Sequence, residues 1–174
     1  MEKIRYELIR SDRKTMSVEV DASGGVLVRV PRFTPKWRIE AFVRERRDWI
    51  ERAIFRQAKR QEKLPQIREE DKPIYVKQAK AILPGKIRQY AQRMGVCPTG
   101  LTVTSAKTRF GSCSGKDRLS FSWRLMAYPE AAIDYVVVHE LAHIRYKDHS
   151  RAFYRFIESV LPDYRDRIRL LKGI

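Results

Sequence analysis

The sequence predicts an α+β fold in which a three-stranded β-meander and a long helix precede a second half of strands and helices. Three observations predict it. Apolar residues alternate in three short runs near the start, and from Ile39 onward they recur at helical spacing. Two further strand-like runs then lead into an apolar helix. The 174 residues suit one domain with a substantial core, since 43% of them are hydrophobic. Within it we expect an N-terminal lobe over about 1–64 and a second lobe over about 65–174.

The meander is read from Ile4, Tyr6 and Leu8, from Met16, Val18 and Val20, and from Val26, Val28 and Val30. Each run has the period of two that buries one face of a strand. The turn-forming stretches "SDRK" and "DASGG" separate them. Thr34 then offers an N-cap and Pro35 a first helical residue. Ile39, Phe42, Val43, Trp49, Ile50 and Ala53 form the apolar face of the helix that follows, which must stop near Leu64 and Pro65. Its other face carries Arg44, Arg47, Arg52, Lys59 and Arg60. Two readings of that face stand open, a solvated helix surface and a stripe that binds polyanions.

A second helix is predicted over Ile74 to Met94, closed by Gly95 and kinked or broken at Pro84. Leu101 to Lys107 and Arg118 to Tyr128 read as strands, and "TRFGSCSGKD" between them reads as a loop. Pro129 and Glu130 make a favourable helix start. Ser150 is placed to cap "RAFYRFIESVL", and Pro162 to open a last short helix.

Lys and Arg number 37 against 21 Asp and Glu, a formal net charge of +16 with a pI near 10.2. Such a field attracts polyanions, so nucleic acid is one expected partner. The competing explanation is a surface tuned for solubility or heat. No apolar run approaches the ~18 residues of a membrane span, and the opening residues lack the apolar core of a secretory signal. Cys97 and Cys113 are the only cysteines, which fits reduced thiols in the cytoplasm.

The chain has three histidines, His139, His143 and His149, all within "VVVHELAHIRYKDHS". On a helix His139 and His143, four apart, point the same way and can meet one divalent ion. Glu140 lies about 100° round the helix, beyond comfortable ligation but within reach of a water on that ion. This is the logic of the HExxH motif. His149 would fall on the wrong face of a continued helix, so the chain must leave the helix near Arg145 to Lys147 and turn back. Asp148 and Ser150 favour that turn. Metzincin peptidases share the ligand spacing but place glycine where Tyr146 stands here. Glu158 is a rival third ligand.

From Thr108 to Tyr164 the chain resembles the YgjP-type metallopeptidases, relatives of the SprT-like zincins. The resemblance rests on "TRFGSC", "SFSWR", "YVVVHELAH", "HSRAFY" and "LPDY". Phe110 and Tyr154 replace the family's usual tryptophans. "VPRFTPKWRIEAFVRERRDWI" resembles the family's opening, so nearly the whole chain is covered. The resemblance implies a zincin-like core acting on protein or peptide substrates, with His139, His143 and His149 as metal ligands and Glu140 as the catalytic group.

The residues carry the same chemistry independently. Three imidazoles leave the fourth position of a tetrahedral Zn2+ open to water, and Glu140 is placed as general base. Arg109 is the candidate for stabilising the oxyanion, with Tyr146 behind it; the alternative for Arg109 is a loop brace bonded to carboxylates. Cys113 is expected to be a buried thiol rather than a fourth ligand, which would close the site. Two rivals keep the metal. The His-x3-His-x5-His spacing also resembles the YbeY-type endoribonucleases, which lack a glutamate beside the first histidine. The other is a nucleic-acid-binding module with structural zinc, for which no fourth ligand is evident. The peptidase and nucleic-acid-binding readings also combine, since some SprT-like proteases act on proteins attached to DNA.

Overall fold

Residues 4–173, described by a computed structural model, form six strands and six helices. Contacts divide the chain into two compact units, one running to Leu64 and the other from Pro65 to Lys172. None of the helices among the described residues is long and apolar enough to cross a membrane.

In the N-terminal unit the three expected strands are present: β1 (Glu7–Ser11), β2 (Ser17–Val20) and β3 (Val26–Pro31). Their connectivity is not a meander. The order is β1-β3-β2, with β1 parallel and β2 antiparallel to β3. The "DASGG" stretch does make a tight hairpin. Asp21 Oδ1 accepts hydrogen bonds from the Ser23 and Gly25 amides at 2.8 Å, and Gly24 takes a φ of 85°. "SDRK" instead carries the chain across to the far edge of the sheet. The reason lies in burial: Val26, Val28 and Val30 are all buried, so β3 takes the centre, whereas β1 is mostly exposed.

The predicted long helix is two, α1 (Lys36–Glu45) and α2 (Arg47–Lys63), separated at Arg46 with φ −104° and ψ 9°. Arg46 N–H turns back to Val43 O at 3.2 Å, and its guanidinium lies 3.8 Å from the centre of the Phe42 ring. That cation–π contact favours the break. The helix begins one residue later than expected, after Pro35, with no side-chain cap. Ile39, Phe42, Val43 and Ile50 pack with the β3 valines as this unit's core.

The second unit opens with α3 (Lys72–Met94), which ends at Gly95 in the left-handed conformation as expected. It runs through Pro84 without a break. Pro84 and Gly85 are exposed, so the missing backbone hydrogen bond leaves groups that water can reach. The second sheet holds β4 (Gly100–Thr104), β5 (Gly111–Cys113) and β6 (Arg118–Ser122) in the order β4-β6-β5. Both expected strands are shorter than predicted, and β6 passes into a 3-10 turn over Trp123–Ala127. The short edge strand β5 lies inside the stretch read as a loop. Leu119 and Phe121 of β6 turn into the core, and Thr102, Thr104, Ser112, Ser120 and Ser122 alternate with the core-facing positions.

Against this sheet lie α4 (Glu130–Arg145), α5 (Arg151–Val160) and α6 (Tyr164–Lys172). Val137, Val138, Leu141, Phe153 and Ile157 are fully buried together with Leu83 of α3. Truncating one of these to alanine costs about 2–5 kcal/mol. Asp134 of α4 ties the helices together, meeting Lys86 Nζ of α3 at 2.6 Å and Arg167 of α6 at 3.4 Å.

Candidate metal centre

Helix α4 is buried along most of its length, with Val136, Val137, Val138, Leu141 and Ala142 in the core. Such a helix is held rigidly, and His139 and His143 project from one face, half-buried. The helix stops because Tyr146 turns to an extended conformation, φ −127° and ψ 108°. Its carbonyl then accepts a hydrogen bond from His143 Nδ1 at 3.0 Å. The residue that ends the helix therefore also fixes the second histidine.

The return of the chain follows from local chemistry. Asp148 Oδ1 accepts from the Ser150 amide, and Ser150 Oγ caps α5 by accepting from Phe153 N–H, both at 3.4 Å. Lys147 Nζ anchors the same turn to Asp117 Oδ1, ahead of β6, at 2.6 Å. His149 is thereby brought back until its Nε2 lies 3.2 Å from His139 Nε2. Ring nitrogens of all three histidines lie within 4.8 Å of one another. No other described residue joins that group: Glu158 is exposed on α5 and Cys113 is half-buried on β5. Burial pushes the Cys113 thiol up, so it stays protonated.

The donor set suits a divalent ion. Nitrogens ligating one tetrahedral zinc stand roughly 3.3 Å apart, given bonds of about 2.0–2.1 Å, close to the observed 3.2 Å. His143 donates from Nδ1 to a carbonyl, which leaves its Nε2 lone pair free. His139 Nδ1 lies 3.2 Å from the Tyr135 hydroxyl. Burial, with the nearby charges of His143 and His149, pushes His139 down to about 3. Burial likewise lowers His143. Both imidazoles are held neutral, the form that ligates.

Glu140 follows on the same helix, only 6% exposed. It accepts no hydrogen bond among the described residues. Burial raises its carboxyl to about 7, against the opposing charge of Arg109. Gly111 of β5 faces it so closely that an added Cβ would lie 2.6 Å from Glu140 Cγ. Arg109 stands in the loop before β5, exposed and without a hydrogen bond or ion pair among the described residues, so the carboxylate-bound loop brace is not found. It lines a cavity of about 100 Å3 with Thr104, Ser112, Ser120 and Ser122. The Tyr146 ring packs on Phe156, with centroids 5.6 Å apart.

Three contributors escaped the sequence reading. Phe153 packs its ring against all three imidazoles, with centroids 5.0, 4.7 and 4.9 Å from His139, His143 and His149. Its sequence signals were its place in "HSRAFY" and its position one turn after the capping Ser150. Tyr135, four residues before His139, could have been found from helical spacing. Gly111 lies in "TRFGSC", but nothing in that motif points to its closeness to Glu140.

The profile of the YgjP-like metallopeptidase domain matches residues 14–76 and 56–173. No curated protein matches the chain. Among solved structures, the crystal structure of the metallopeptidase zymogen of Pyrococcus abyssi abylysin is similar at 22% identity and a TM-score of 0.45. The match covers 51% of this chain and 92% of that one.

Proposed function

Because the chain belongs to the YgjP-like metallopeptidase family, we propose that His139, His143 and His149 hold one Zn2+ and that Glu140 is the general base for hydrolysis of protein or peptide amide bonds. The observation that carries this reading is the meeting of three histidine ring nitrogens within 4.8 Å, with the buried Glu140 carboxylate one residue from His139. Three nitrogen donors, with no thiolate or fourth protein ligand among the described residues, suit a catalytic zinc with an open position.

When bound, the ion supplies Lewis acidity to an attacking water and to the scissile carbonyl. Glu140 accepts the proton of that water on a carboxylate oxygen and passes it to the departing amine nitrogen. A carboxyl raised to about 7 can both take and release a proton near neutrality. Arg109, without a hydrogen bond or ion pair among the described residues, donates from its guanidinium to the oxyanion that develops on the carbonyl. Tyr146 O and Phe153 hold the imidazoles in place. Both cysteines are free, which suits work in the reducing cytoplasm.

The experiment is metal analysis of the purified protein combined with a panel of unfolded protein and peptide substrates. One zinc per chain is expected, with cleavage abolished by chelation and restored by zinc. Equal cleavage by the fully chelated protein would sink the reading, as would single-stranded RNA being the only substrate cut.

A further inference from the structure

The N-terminal unit contains none of the residues assigned to catalysis, yet every exposed phenylalanine and tryptophan among the described residues belongs to it. Phe33 is 91%, Trp37 70%, Phe55 60% and Trp49 44% exposed. Each has basic neighbours in sequence: Arg32, Lys36 and Arg38 beside the first two, and Arg52, Arg56 and Lys59 beside the others.

Helix α2 shows the arrangement most clearly. Ile50 and Ala53 are its buried side. Arg52, Phe55 and Lys59 fall on the opposite side, and Trp49 and Arg56, two turns apart, run together along its flank. Lys59 Nζ stands 4.8 Å from the centre of the Phe55 ring. Arg47 is neutralised by Glu51 at 2.7 Å, and both Arg47 and Arg60 are half-buried. Arg52 and Arg56, by contrast, make no ion pair or hydrogen bond among the described residues. The basic stripe expected from the sequence is thus narrower than five residues, and it is bordered by rings.

We propose that this face of α2 binds single-stranded nucleic acid, with bases stacking on Trp49 and Phe55 and phosphates held by Arg52, Arg56 and Lys59. Charge alone would fit any polyanion, including an acidic protein. The rings narrow the choice, because a single strand presents a flat π-face beside each backbone charge. A duplex keeps those faces stacked inside, and an acidic peptide has none.

Tryptophan fluorescence tests this directly. Trp123 is fully buried and serves as a silent internal reference. In the Trp37→Phe protein, Trp49 becomes the sole exposed indole. Titration with deoxythymidine or uridine oligomers of about 12 nucleotides at low salt should quench it. Inorganic polyphosphate of matched charge should not. The two oligomers distinguish DNA from RNA as the source. Phe55→Ala should weaken oligonucleotide binding roughly five- to a hundred-fold, the usual worth of one stacked base, and leave polyphosphate binding unchanged.

Changing Arg52, Arg56 and Lys59 together to Gln should flatten the slope of log K against log salt by about 2, at roughly 0.7 per phosphate. All these side chains reach solvent, and a circular dichroism spectrum matching the parent's verifies the fold. Oligonucleotide binding without quenching, or an unchanged affinity in Phe55→Ala, would overturn the proposal. So would poly-glutamate binding as tightly as the oligonucleotide. Binding is read without turnover, so its failure leaves the peptidase reading untouched, and the reverse also holds.

Discussion

Gly111 and Glu140 are set so close that no side chain fits between them: a methyl on Gly111 would lie 2.6 Å from Glu140 Cγ and 2.7 Å from Oε1. Glu140 is buried beneath β5 and has little room to retreat. Gly111→Ala should therefore displace the carboxylate while leaving the three histidines in place. We expect full zinc content and kcat reduced on the order of 100-fold, the usual cost of about 1 Å of misplacement. Undiminished peptidase activity in the alanine variant would show that the glycine is not needed for clearance.

Glu140→Gln is nearly isosteric and cannot accept a proton at neutral pH. Zinc occupancy should stay complete while hydrolysis falls about 10²- to 10⁴-fold. Loss of zinc from this variant would instead make Glu140 a ligand.

The same substitution has an opposite effect on the metal-free protein. Glu140 is raised from 4.5 to about 7 by burial. The stability it contributes is therefore present below pH 4.5 and lost as pH rises through 7. His139, lowered from 6.5 to about 3, contributes stability above pH 6.5 that is lost as pH falls toward 3. Under chelation, Glu140→Gln should match its parent near pH 4 and exceed it by about 3 kcal/mol at pH 8. Denaturant unfolding at the two pH values measures this; curves that run parallel from pH 4 to 8 would contradict it.

His149→Ala should weaken zinc binding severely, because two nitrogens cannot hold the ion as three do. Glu158→Ala, on the exposed face of α5, should leave it unchanged. Competition against a chromophoric chelator gives both affinities, and the reverse order would reassign the third ligand to Glu158.

The histidine cluster was legible because its determinants are local. A four-residue helical spacing, a turn signalled by Asp148 and a cap at Ser150 bring His149 back to His139 without help from distant sequence. What stayed hidden is set by distant partners. Gly111, Ser112 and Cys113 have no strand-like alternation and become β5 only by pairing with Phe121, Ser120 and Leu119. Alternation marked Leu8 with Ile4 and Tyr6 for the buried face, but Leu8 is 39% exposed and Ile9 is the half-buried residue of β1, because the strand's phase is set by its pairing with β3. Arg46 is a good helix former, and only its stacking on Phe42 distinguishes it as a break.

The strand order of the N-terminal sheet has a consequence for biosynthesis. Among the described residues β1 pairs only with β3, whose last residue is Pro31, so the first strand of this sheet to be synthesised must wait for the third before it gains its partner. At about 5–20 residues per second it waits roughly one to four seconds after its own synthesis. Meanwhile β2 and β3 can close their hairpin behind it. An exposed, arginine-bearing β1 is well suited to that interval, because a charged strand resists pairing with its counterparts on neighbouring nascent chains.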